Sequence, residues 1–131
     1  MPQAQTENMM TEAEAFENAL LAAANAITSF TVYISVTFGY LAAAYFVGPN
    51  LTRAQVAIFN SLFVFSAFSC LLSLDANLVT QSAAIAQAPV LYPEGLTNRA
   101  MFWRIYMDVL LAAGIFASLY FMIAARRSRE T

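Results

Sequence analysis

The chain has 131 residues, enough for one domain, and 60% of them are hydrophobic against 11% charged. A soluble domain of this size is about 45–50% apolar and about 25% charged, and it leaves much of its surface in water. The excess of apolar side chains therefore calls for a non-aqueous solvent, and a net charge of −2 offers no basis for nucleic-acid binding.

The residue types that are missing narrow the chemistry. There is no histidine, which removes the usual haem axial ligand, the commonest zinc and copper ligand and the commonest general base. All six cationic residues are arginines, so no lysine can form a Schiff base. The six methionines are scattered without metal-ligand spacing, and Cys70 is the single cysteine, with no partner for an internal disulfide. The sequence holds no nucleophile–base pair and no phosphate loop. The expectation is a protein that is not an enzyme, with no catalytic, cofactor-binding or metal-binding residues.

Residues 1–17 are polar and acidic, with Glu7, Glu12, Glu14 and Glu17. They lack the basic start of a secretory signal and read as part of the mature protein. Thr11-Glu12-Ala13-Glu14 fits a capping box, so a helix begins there. Asn18 through Thr52 carry no charge, which exceeds the ~20 residues one span needs and falls short of two spans with a turn. The first span is placed at 20–47. Gly48-Pro49-Asn50 ends it, because glycine suits the position just past a helix and proline cannot continue the hydrogen-bond ladder.

A second capping box, Thr52 to Gln55, opens the next helix, whose uncharged run gives a span at 54–75. No helix breaker lies between Asp75 and Pro89, so Ala76–Gln87 should continue the helix beyond the membrane. Residues 88–98, with Pro89, Pro93 and Gly95, read as an outer loop, and Thr97 or Asn98 can cap the third helix. A third span is placed at 104–125, with Trp103 and Tyr106 as interfacial anchors just before its apolar core Val109–Ala125, and the basic tail 126–131 terminates it.

The fold class is all-α: a single-domain integral membrane bundle of three transmembrane helices. Helices from about Glu12 to Val47 and from Arg53 to Ala86 would each exceed ~50 Å against a bilayer core of ~30 Å. They are expected to form an antiparallel hairpin whose surplus length projects past the outer face. Arg53, Arg126, Arg127 and Arg129 fall on one side and Arg99 and Arg104 on the other. The positive-inside rule makes the first side cytoplasmic and the N-terminus external, in a cytoplasmic-type inner membrane.

The register of this hairpin sets out a polar cluster. If Ala125 lies level with Arg53, Arg104 lies level with Asp75 at the outer boundary, and Asp108 sits one turn further in. Asn25 of the first helix stands near Asp75. The cluster reads either as a structural ion pair at a helix end or as a proton or ion relay. The uncharged polar residues Asn25, Thr28 and Ser35, and Asn60, Ser66, Ser69 and Ser73, read as hydrogen-bonding groups between helices rather than as a lined pathway. Ser35, Gly39 and Ala43 on the first helix, and Gly114 and Ser118 on the third, have the four-residue spacing of small side chains that lets helices approach closely within or between chains. Phe59, Phe63, Phe65 and Phe68 spread around the second helix and do not form a cofactor cage.

The expected partners are the lipid bilayer and either further copies of the chain or a larger membrane complex. The leading function is that of a non-catalytic accessory or assembly subunit acting through helix–helix contacts. The alternative is a small pore-forming, holin-like or transport protein working as a homo-oligomer.

Overall fold

The structure is a computed structural model that describes residues 11–87 and 96–127, with the backbone alone at 96–98. Three helices account for it: α1 (Glu12–Phe46), α2 (Arg53–Ala86) and α3 (Leu96–Arg127), with a short 3-10 turn at Gly48–Asn50 between the first two. All three are long and apolar enough to cross a membrane, and no strand occurs among the described residues. The chain is a small multi-pass membrane protein.

Local chemistry sets the helix starts. Thr11 Oγ1 accepts from the Glu14 amide at 3.3 Å while the Glu14 carboxylate accepts from the Thr11 amide at 2.8 Å. Thr52 and Gln55 repeat the arrangement at 3.3 Å and 2.9 Å. Each box satisfies amides that a helix start leaves without partners. The end of α1 differs from expectation. Gly48 does not adopt the left-handed conformation of a helix cap but enters the 3-10 turn with Pro49. Its lack of a side chain matters for space instead, because a Cβ there would lie 3.1 Å from Met122 Sδ of α3. The third helix starts at Leu96, ahead of the expected caps Thr97 and Asn98, and runs through Arg126 and Arg127. The expected outer loop thus loses its last three residues to α3, and the tail its first two. The rest of the loop, residues 88–95, and of the tail, 128–131, lie outside the described residues.

The antiparallel α1–α2 hairpin is the largest interface, and α3 packs against both of its helices. Its buried seam is Ala15, Ala19, Ala22, Ala26, Tyr33, Tyr40 and Ala44 on α1, facing Phe63, Ala67, Leu74 and Ala84 on α2. The steps along α1 are mostly three, four or seven residues, the 3.5 period that keeps one stripe against a partner helix over a long distance. On α1, alanine alone forms the seam from Ala15 to Ala26, and Tyr33 and Tyr40 enter it nearer the turn, ahead of Ala44. From α3, Leu111, Ser118 and Met122 complete the core.

The opposite surfaces need lipid. Phe65, Phe116 and Tyr120 are 75%, 72% and 73% exposed. Leaving each such ring in water forgoes about 1.5–3 kcal/mol of burial, a loss that a hydrocarbon surround removes.

Candidate functional site

The one ion pair among the described residues joins α3 to α2 toward the end of the hairpin away from its turn. Arg104 Nε donates to Asp75 Oδ1, and its Nη2 lies 3.4 Å from Asp75 Oδ2. The two-point geometry holds the planes of the guanidinium and carboxylate together and fixes the sliding register of the two helices. At the other end, Arg126 Nη2 donates to the Leu51 carbonyl at 3.4 Å, so α3 is tied to the hairpin at both ends of its span.

Asp108, one turn inward on α3, faces Asp75 and Arg104. Its Oδ1 is buried and has no hydrogen-bond partner among the described residues. Asp75 and Arg104 side chains are 29% and 40% exposed, so solvent screens the pair and its net worth is small. The tie between the helices is the Asp75–Arg104 pair, with Asp108 a second carboxylate beside it. Among the described residues no group of three or more acidic or sulfur side chains is placed to hold a metal ion.

Asn25 does not join this cluster. It is exposed on α1, and the bond across the hairpin at this level is Ser29 Oγ to Ser73 Oγ at 2.9 Å. The polar side chains expected to bond between helices divide into two groups. Thr28, Ser35 and Ser69 donate to carbonyls of their own helices, at 3.0, 2.9 and 2.8 Å. Ser73 and Asn60 bond across. Asn60 Oδ1 accepts from the Tyr40 hydroxyl at 2.7 Å, and the Tyr40 ring stacks on Phe63 with centroids 4.0 Å apart.

The small-residue stripes also divide. Gly114 is enclosed: the Tyr33 hydroxyl reaches over it to donate to the Leu111 carbonyl at 2.7 Å. A Cβ at Gly114 would sit 2.5 Å from that hydroxyl. Ser118 is buried beside it and donates to the Gly114 carbonyl. Ser35 and Gly39, by contrast, are exposed, Ala43 is half-buried, and a Cβ at Gly39 would meet nothing within 4 Å. That stripe makes no close helix packing within the chain. The anchors that sequence reasoning missed are Tyr33 and Tyr40. Their seven-residue spacing, in line with Ala26 and Ala19, was the available signal.

No protein-family model, curated protein or solved structure matches the chain.

Proposed function

We propose that the protein is a non-catalytic membrane subunit that acts by helix–helix contact, assembling with copies of itself or within a larger membrane complex. The carrying observation is a contrast between exposed faces. One exposed stripe of α1 presents Asn25, Thr28, Val32, Ser35, Gly39 and Ala42 at steps of three and four, flanked by the exposed Ile27 and Phe38. The outward faces of α2 and α3 present large apolar groups such as Leu62, Phe65, Phe68, Val109, Phe116 and Tyr120. Lipid tails favour the second kind of surface, and close helix approach favours the first. Conduction along the α1 stripe is the weaker reading, because the protons of Thr28, Thr31 and Ser35 are committed to carbonyls one turn back. The cluster of Asp75, Arg104 and Asp108 serves as a structural tie in this reading, with the N-terminus outside and the C-terminal arginines cytoplasmic.

Gly39 supplies the test. A Cβ added there meets nothing within 4 Å, and a longer side chain would lie along the open groove beside Phe59 and Leu62 of α2, so Gly39→Leu is read against the stability of the single chain. Extraction from native membranes in mild detergent should yield a defined assembly that Gly39→Leu disperses while helicity and thermal stability of the single chain persist. A wild-type chain that is monomeric and unaccompanied in mild detergent would sink the reading. A pure homo-oligomer that conducts ions in planar bilayers would replace it with the pore.

A further inference from the structure

At the level of the Asp75–Arg104 pair, the three helices part to leave a groove of about 670 Å³, within the ~300–1,000 Å³ range of small-molecule sites. Its inner end is Phe30, Leu74 and Leu110, and its outer lip is Gln81, Trp103 and Tyr106. No residue of its lining is formally charged. The indole and phenol rings of Trp103 and Tyr106 stack with centroids 5.6 Å apart, forming one aromatic wall. Asp75 lies 22 residues from Arg53 along α2, or roughly 33 Å, so the groove begins where a hydrocarbon core of ~30 Å gives way to headgroups.

One turn further out on α3 stands Arg99. At 100° per residue it lies within roughly 30° of the mean direction of Trp103, Tyr106, Met107 and Leu110. Arg99 is exposed and forms no ion pair among the described residues, whereas Arg104 is neutralised by Asp75 behind the groove wall. Asp108 points roughly 150° away from the groove on α3 and lies about 13 Å deeper than Arg99, beyond the ~8–10 Å screening length. The geometry is therefore apolar below, aromatic at the lip and cationic above. That order matches acyl chain, glycerol ester and phosphate.

We propose that this groove is a binding site for an anionic phospholipid, which seats an acyl chain between Phe30, Leu74 and Leu110 and sets its headgroup phosphate against Arg99. Charge complementarity selects the occupant. The cation at the mouth, which has no ion pair among the described residues, favours a lipid of net negative charge over a zwitterionic one, with no acidic side chain in the lining to oppose it.

Trp103 is the only tryptophan and stands at the lip of the groove, so its fluorescence reports on lipid at that lip. The full chain would be reconstituted in phosphatidylcholine vesicles containing a minor fraction of phospholipid brominated high on the acyl chain, with either a phosphatidylglycerol or a phosphatidylcholine headgroup. The brominated phosphatidylglycerol should quench at an about fivefold lower mole fraction, the weight of one arginine at a charged surface. Arg99→Gln should bring the two lipids within twofold, and Arg126→Gln, at the opposite end of α3, should preserve the preference. Ala23→Leu, which fills the groove from α1, should reduce quenching by both lipids with helicity unchanged by circular dichroism. Equal quenching by the two headgroups in the unmodified chain would overturn the proposal, as would a preference that survives Arg99→Gln. Quenching untouched by Ala23→Leu would show that lipid does not enter the groove and would leave it to a second copy or another apolar segment.

Discussion

Gly114→Ala and Gly39→Ala make the same chemical change in the middle of a long helix, yet their effects should differ in sign. Each replaces glycine by the best helix former, a gain of about 1 kcal/mol. At Gly39 nothing lies within 4 Å of the new methyl, so the gain stands alone in the monomer. At Gly114 the methyl meets the Tyr33 hydroxyl at 2.5 Å. Tyr33 is buried and cannot swing aside without giving up its bond to the Leu111 carbonyl. Overpacking costs about 1–3 kcal/mol, and a lost inter-helix hydrogen bond about 0.6 kcal/mol in a membrane. The propensity gain cancels in the comparison, so Gly114→Ala should be less stable than Gly39→Ala by about 2–3 kcal/mol. Equilibrium unfolding in mixed micelles, at dilution that keeps the chain monomeric, measures the difference. Tyr33→Phe provides the internal check. It should destabilise the parent chain but rescue Gly114→Ala, because the next ring atom, Cζ, is at an ordinary 3.6 Å. Equal stability of the two alanine variants, or no coupling between Tyr33 and Gly114 in the double-mutant cycle, would refute this account of α3 docking.

Three further outcomes follow from the same contacts. Tyr40→Phe removes the donor to Asn60 Oδ1 and should cost about 1 kcal/mol, whereas Tyr40→Phe with Asn60→Leu should recover most of the loss in the same unfolding assay. Arg104→Gln should destabilise more than Asp75→Asn, because it leaves Asp75 and Asp108 facing one another without a cation; adding Asp75→Asn to Arg104→Gln should restore part of the stability. The capping hydrogen bonds from Thr11 hold the Glu14 carboxyl below its ordinary value of 4.5, so its folded-state pKa is depressed. Its contribution to the first turn of α1 is therefore complete above that ordinary value and lost as pH falls through the folded one, and amide exchange at residues 12–15 should accelerate over that acidic window while residues 53–56, capped by uncharged Gln55, keep their own pH trend.

Much of this architecture was legible because it rests on local or one-dimensional signals. Both capping boxes are four-residue patterns, and the Asp75–Arg104 pair follows from the 1.5 Å rise once two helix ends are aligned. What stayed hidden depends on which way a helix face turns. α1 has small residues on two faces, Ala15 to Ala26 inward and Ser35 to Ala42 outward, and hydropathy does not separate them. Tyr33 and Tyr40 sit in an apolar run where an aromatic ring reads as lipid-facing bulk. Their hydroxyls find partners 78 and 20 residues away, and only the assembled helices bring those groups together. Asn25 failed for a related reason. Its level along α1 was nearly right, but its direction was not.

The change from alanine to tyrosine along the α1 seam bears on how the protein is made. Small alanines from Ala15 to Ala26 and the larger rings of Tyr33, Tyr40 and Phe63 share one continuous seam between α1 and α2. The hairpin thus closes the largest interface of the fold using only residues up to Ala86. During synthesis it can zip before α3 exists, and α3 then arrives as the last piece, docking against both helices. The Tyr33 hydroxyl and the Asp75 carboxylate of the hairpin are the two catches for Leu111 and Arg104, so a chain stopped after the hairpin would leave both polar groups without their partners, the kind of mark by which membrane quality control recognises an unfinished protein.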